Sequence, residues 1–174
     1  PTINVSSDDT QGLKEPHEFP ALSLAKTKKV TDLVKWASDR PIFLSWKLDG
    51  LTLVVTYDNG KLTKVVTRGD GHVGTNITHL AGAIHGIQKT IKEKGHLVIR
   101  GEAVISYEDF EQFVLESGED YANPRNLASG SLSLKDSEEV KRRNIHWIPF
   151  TLVYTEKKIV SWGEQMQYLR DLGF

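Results

Sequence analysis

The chain has 174 residues, 39% of them hydrophobic and 26% charged, with a formal net charge of −1 and no cysteine. This length fits one domain with room for a real core. The near-neutral balance argues against coating nucleic acid through a global basic field, and the missing thiols exclude disulfides, thiol nucleophiles and cysteine-based zinc sites. No apolar run approaches the roughly 18 residues of a membrane span, and no signal-peptide pattern opens the chain. A cytoplasmic protein with no membrane partner is expected. The chain begins at Pro1 and its one methionine is Met166, which leaves two readings, a trimmed initiator or a piece of a longer polypeptide.

Residues 1–19, with Ser6, Ser7, Asp8, Asp9 and two prolines, read as an extended polar arm. The apolar Pro20-Ala21-Leu22-Ser23-Leu24 is expected to lie against the domain, giving an arm over 1–24 and a partial domain over 25–174. A short helix is predicted over Thr31 to Ser38, with Val30, Leu33, Val34 and Ala37 on one face. Leu51, Leu53, Val55 and Tyr57 alternate with Thr52, Val54 and Thr56, the period-two pattern of a strand. Asp58-Asn59-Gly60 supplies a type I′ turn, and Leu62 to Thr67 returns as the partner strand.

Ile77, Leu80, Ala81, Ile84, Ile87 and Ile91 follow helical spacing, with Gly95 as a C′ residue. Leu97 to Ile105 reads as a strand. Ser106-x-x-Asp109 caps a helix with Phe110, Phe113 and Val114 inward. A further strand follows over Ile145 to Tyr154. Ser161-x-x-Glu164 then opens a last helix with Trp162, Met166, Leu169 and Leu172 on one face. The charged residues Lys89, Lys92, Lys94 and those from Lys135 to Arg143 read as solvated helix faces. The pattern predicts an α+β fold with antiparallel sheet.

Four clusters carry chemistry. Lys47-Leu48-Asp49-Gly50 stands at the mouth of the hairpin, where a lysine able to shed its proton can attack a phosphate and an arginine cannot. Asp49, two residues on, points to the same side of an extended segment. Thr67-Arg68-Gly69-Asp70-Gly71 sets a cation on a loop whose glycines permit close backbone approach, and strand pairing brings Arg68 to the same open end as Lys47. Glu102, beside Gly101 in a predicted core strand, needs either a partner such as Arg100 or a cleft. Asn123-Pro124-Arg125-Asn126, leading to Gly130-Ser131-Leu132, reads as a hydrogen-bonded knot around an anion. The six histidines lack zinc-ligand spacing.

Together and in order, these clusters resemble the adenylation (nucleotidyltransferase) domain of NAD-dependent DNA ligases, and the resemblance runs over nearly the whole chain. His17-x-x-Pro20-x-Leu22-Ser23-Leu24 at the entrance, Gly74 after the Arg68 loop and Leu172-Gly173-Phe174 at the end add to it. The resemblance implies a nucleotidyltransferase fold, ATP-grasp-like, with antiparallel sheets flanked by helices and incomplete at its C-terminal end. It implies that Lys47 attacks the α-phosphate of NAD to give lysyl-AMP, releasing nicotinamide mononucleotide. The AMP then passes to the 5′-phosphate of nicked double-stranded DNA, and a 3′-hydroxyl displaces it. Read from its position alone, Asp49 either orients the amine or touches the ribose. By the same resemblance Ser23 and Leu24 line the adenosine pocket, Arg68 and Glu102 hold the ribose, Arg125 stabilises phosphate charge, and Mg2+ assists; the metal's ligands are not identified.

The chain departs from the family pattern at Ser45 (glutamate in the family), Thr75 and Asn76 (an acidic pair) and Ser133 (arginine). The family's later lysine-bearing segments and its flanking modules lie outside these 174 residues, so ligation by this chain alone is not expected. Two other readings stand beside the ligase: a degenerate ligase-like domain that binds a nucleotide or partner without AMP transfer, and an ATP-dependent nucleotidyltransferase sharing K-x-D-G. A monomer is expected, on the premise that no apolar stripe is left over once the core is assigned.

Overall fold

A four-stranded antiparallel sheet is the frame on which the clusters are carried. The computed structural model describes residues 12–174; Ser6, Ser7, Asp8 and Asp9 of the arm lie outside them. In chain order the elements are β1 (Lys14–Pro16), α1 (Val30–Ala37), β2 (Leu51–Asp58), β3 (Lys61–Thr67), β4 (Val73–Thr75), a 3₁₀ helix (Thr78–Ala83), β5 (Leu97–Val104), α2 (Tyr107–Ser117), α3 (Pro124–Ser131), α4 (Ser137–Lys141), β6 (His146–Thr155) and α5 (Trp162–Asp171). The main sheet has the order β3-β2-β5-β6, and β1 pairs with β4 in a small second sheet. The mixed α and β composition with antiparallel pairing is the class read from the sequence.

The β2–β3 hairpin turns at Asn59 and Gly60, whose φ values of 49° and 76° are both positive, as a type I′ turn requires. Leu53, Val55 and Tyr57 of β2 join Leu97, Ile99 and Ala103 of β5 in the main core, with the buried isoleucines of residues 77–91 on the same side. The opposite face of the sheet carries Val54 and Val98, which pack with Ala21 and Phe19 of the arm. One face of the sheet therefore builds the core, and the other receives the arm.

The helix predicted from Ile77 to Ile91 does not form. A 3₁₀ helix occupies Thr78–Ala83, and beyond it Ile84, Ile87 and Ile91 reach the core from irregular backbone. Gly86 has φ 90°, and an added Cβ would lie 2.5 Å from the Trp147 carbonyl oxygen. Helical spacing of apolar residues is necessary for a buried helix but does not dictate one, and here two glycines sit inside the run. Gly95 lacks the positive φ of a C′ residue.

One helix, α3, was not anticipated, and α4 falls within the charged run read as a solvated helix face. α3 starts at Pro124 with Asn123 as N-cap, its side chain accepting from the Asn126 N–H at 2.9 Å. α4 buries Val140 completely. Arg143, grouped by sequence with the solvated charges, is 5% exposed and sits 4.9 Å over the Phe113 ring.

The premise of the monomer expectation does not hold. α1 buries none of its residues, and Val30, Val34, Trp36, Phe43, Leu44 and Trp46 are all more than half exposed.

Candidate active site

The geometry of the site begins with Glu102. On β5 it stands opposite Thr52 of β2, and the Thr52 hydroxyl donates to its carboxylate at 2.9 Å. Side chains alternate along a strand, so Thr52, Val54, Arg100 and Glu102 share the face that receives the arm. Gly101 between them leaves room for Trp147, whose indole occupies the space a Cβ would take. Burial lifts the Glu102 carboxyl above the usual carboxylate range, against the Thr52 hydrogen bond and the charges of Lys47 and Arg125. Glu102 and Arg100 do not pair with each other. Arg100 instead donates to the carbonyl of Pro20 at 3.1 Å, and burial together with the neighbouring Arg68 charge lowers its own pKa.

Lys47 and Asp49 lie on irregular backbone entering β2, both exposed. Gly50 closes this segment against β5, where a Cβ would stand 2.0 Å from the Ala103 carbonyl oxygen. Only glycine lets the lysine-bearing segment cross so close to the strand that carries Glu102. Asp49 meets Arg125 at 3.3 Å, joining the first motif to the start of α3. Both partners are well exposed, so this contact contributes little stability.

Arg68 follows β3, and its backbone N–H donates to Thr52 O at 3.0 Å, extending the hairpin to its open end as anticipated. Its guanidinium donates to the Ala21 carbonyl at 2.9 Å and to the Ser23 hydroxyl at 2.7 Å. The His17 ring reaches the Arg68 carbonyl at 2.9 Å. Arg68 thus ties the arm to the hairpin and fixes Ser23 beside it. Asp70 accepts from the backbone N–H groups of Val73 and His72, each at 2.8 Å, and these bonds hold its carboxyl below the usual range. Asp70 is therefore a turn-former within this loop. Leu24 is 84% exposed.

Beside Asp49 and Arg125 opens a groove of about 460 Å³, lined also by Asn123, Tyr107, His85 and His146. Its volume is within the ordinary range for ligand sites. No local pattern marks it, because His85 and His146 are far apart in the chain and neither belongs to a motif.

An α+β domain with a lysine, an aspartate, two arginines and a half-buried glutamate converging at the open end of one hairpin has the make-up of a nucleotide-handling protein. The family described as "NAD-dependent DNA ligase adenylation domain" matches residues 14–174, and the chain belongs to it. A protein named DNA ligase from Lachnoclostridium phytofermentans is 43% identical over 92% of this chain and 25% of its own length. The DNA ligase of Ruminiclostridium cellulolyticum is 42% identical over 100% of this chain and 27% of its own. That of Leptospira biflexa is 37% identical over 91% and 24%. The chain spans about a quarter of the length of these relatives. Among the described residues no helix is long and apolar enough to cross a membrane.

Proposed function

We propose that the chain is the nucleotide-charging part of an NAD-dependent DNA ligase, with the nucleotidyltransferase fold of that family, acting in the cytoplasm. The observation that carries this reading is the convergence of Lys47, Asp49, Glu102 and Arg125 within a chain of the adenylation-domain family. The division into an arm, 1–24, and a partial adenylation domain, 25–174, belongs to the same proposal.

In the proposed step the neutral Lys47 amine attacks the α-phosphorus of NAD. A P–N bond forms, the P–O bond to nicotinamide mononucleotide breaks with its electron pair leaving on the mononucleotide phosphate, and the amine proton passes to solvent. Asp49 orients the amine and also anchors Arg125, whose guanidinium offsets charge on the phosphate as the transition state forms. Glu102 takes the ribose hydroxyls. Arg68 secures Ser23 next to that ribose, and Ser23 and Leu24 border the adenosine. The AMP so held is then passed to the 5′-phosphate of nicked DNA, with the rest of a ligase polypeptide completing the seal.

Mg2+ suits this donor set in one way only. Among the described residues no group of three or more His, Asp or Glu side chains could hold a metal, whereas Asp49 and Glu102 offer separate carboxylates. That matches an ion carried largely by substrate phosphates and water. Bound there, Mg2+ would offset phosphate charge.

Intact mass tests the reading. After incubation with NAD and Mg2+ the chain gains the mass of AMP, ATP does not replace NAD, and Lys47→Ala gains nothing. An unchanged mass with NAD would overturn the proposed step in this chain and favour a ligase-like domain that binds without transfer.

A further inference from the structure

His85 and His146 stack with ring centroids 4.7 Å apart and an interplanar angle of 23°. The backbone enforces this arrangement. The two residues form a parallel bridge, with the His85 N–H donating to Ile145 O at 2.9 Å and the Trp147 N–H donating to His85 O at 2.8 Å. Gly86, at φ 90° and with no room for a Cβ, allows the approach. Two imidazole rings are thereby fixed together on the wall of the groove that Arg125 and Asp49 border. The groove also receives the first residues of two helices, Tyr107 of α2 and Pro124 of α3, whose N-terminal ends favour negative charge.

We infer that this groove takes the sugar-phosphate backbone of the nicked DNA strand, with the His85–His146 pair as a phosphate contact beside Arg125. The inference rests on the adenylation reading, since it places the strand next to the lysine that would charge it. A phosphodiester fits what lines the groove. Arg125 and the two imidazoles offer donors to phosphate oxygens, while Trp147, Ile148 and Pro124 offer apolar surface to sugars. The trough is open to solvent and continuous with Asp49, as a strand passing the reactive lysine requires.

Histidine is the side chain whose charge changes within the physiological range, so the contact strengthens as pH falls. The groups facing the pair are Asp109 at the start of α2, Arg125 at the start of α3 and Asp49 at the entry to β2. The Asp109 carboxyl is held below its usual range by hydrogen bonds from Ser106 and Asn144 and by both histidines. The Asp109 carboxylate therefore stays charged beside the pair across the range tested.

The test is binding of a fluorescent nicked duplex by the whole chain between about pH 6 and about pH 8, with the AMP adduct from NAD weighed in the same preparations. Wild-type binding is expected to tighten as pH falls. The His85→Gln/His146→Gln double variant loses that tightening and binds about tenfold more weakly at the acid end, with a salt dependence shallower by about 2 in slope. His85→Lys/His146→Lys binds as tightly at the alkaline end as at the acid end, which excludes a collapsed groove as the cause of the first result. A glutamine variant that keeps the wild-type pH profile overturns the inference. So does a wild-type chain that ignores the duplex at low salt, or nicotinamide mononucleotide displacing the duplex, which would assign the groove to the dinucleotide. Failure of the adenylation reading is separate, as absence of the AMP adduct from wild type whatever the duplex does.

Discussion

Glu102 shows how one residue's surroundings set its use. Its carboxylate is half-buried, bonded by the Thr52 hydroxyl, and close enough to Lys47 and Arg125 to feel both charges. A carboxylate desolvated in this way bonds a neutral hydroxyl more strongly than a solvated one would. Glu102→Gln keeps the shape and removes the charge. It is expected to slow AMP-adduct formation from NAD by about 10- to 100-fold, about 1.5–3 kcal/mol, the range for a hydrogen bond to a charged group. Stopped reactions followed by mass would check this, and a wild-type rate would remove Glu102 from the ribose contact. The candidate positions Lys47, Asp49, Arg68, Glu102 and Arg125 were legible because each sits in a short motif with unusual chemistry. What they touch was not. The Asp49–Arg125 ion pair and the grip of Arg68 on Ser23 join segments far apart in sequence, and no local pattern encodes such distances.

At the scale of elements, Gly101 couples the core to the site. Trp147 of β6 lies against it, with the ring 2.5 Å from where a Cβ would stand, and its indole N–H reaches the Leu53 carbonyl at 3.4 Å. Gly101→Ala forces the ring or the strand to move, an overpacking cost of about 1–3 kcal/mol. The displaced strand also carries Glu102, so both the melting temperature and the rate of AMP-adduct formation are expected to fall. An alanine variant as stable as wild type, measured by denaturant unfolding, would disprove this coupling. Strong local patterns did specify their elements. The β2–β3 hairpin rests on strict alternation plus Asn-Gly, and α5 on the Ser161–Glu164 capping box, which forms in full. The run from Ile77 to Ile91 misled because its isoleucines satisfy helical spacing while Gly82 and Gly86 release the backbone from it. α3 carried the sequence signal of an N-cap Asn followed by Pro at the first turn.

For the molecule as a whole, the attachment of the arm to the sheet decides whether Ser23 and Arg68 stay together. β1 pairs with β4 over only three residues, a register too short and too polar to read from sequence. The clasp that reinforces it is centred on His96, at the entry to β5. Its Nδ1 lies 2.6 Å from an Asp58 carboxylate oxygen and its Nε2 lies 2.8 Å from Glu18 of the arm. Ionised carboxylates only accept, so both ring nitrogens must donate, and the imidazole is charged when both bonds form. Burial works against that charge, but the bonds to Asp58 and Glu18 outweigh it and raise the His96 pKa. The Asp58 carboxyl is correspondingly lowered, chiefly by His96. Because His96 is raised on folding, its stabilisation is complete below the unfolded value of about 6.5 and is lost as pH rises through the folded value. The Asp58 contribution has the opposite sense, present above about 4 and lost in acid. Lys64 faces Asp58 and pairs with Glu15 of β1 at 3.1 Å, and this second clasp holds across the neutral range. Glu156 accepts from the His96 backbone N–H at 3.4 Å. The arm is therefore expected to loosen, without detaching, as pH rises from about 6 to about 8. The readout is the opening free energy of the His17 and Ala21 amides, bonded to His72 O and Gly71 O, from hydrogen exchange corrected for intrinsic rates. His96→Gln should lower it at the acid end and abolish its pH dependence, whereas an unaltered slope in that variant would show that the arm is held by β1 and Arg68 alone.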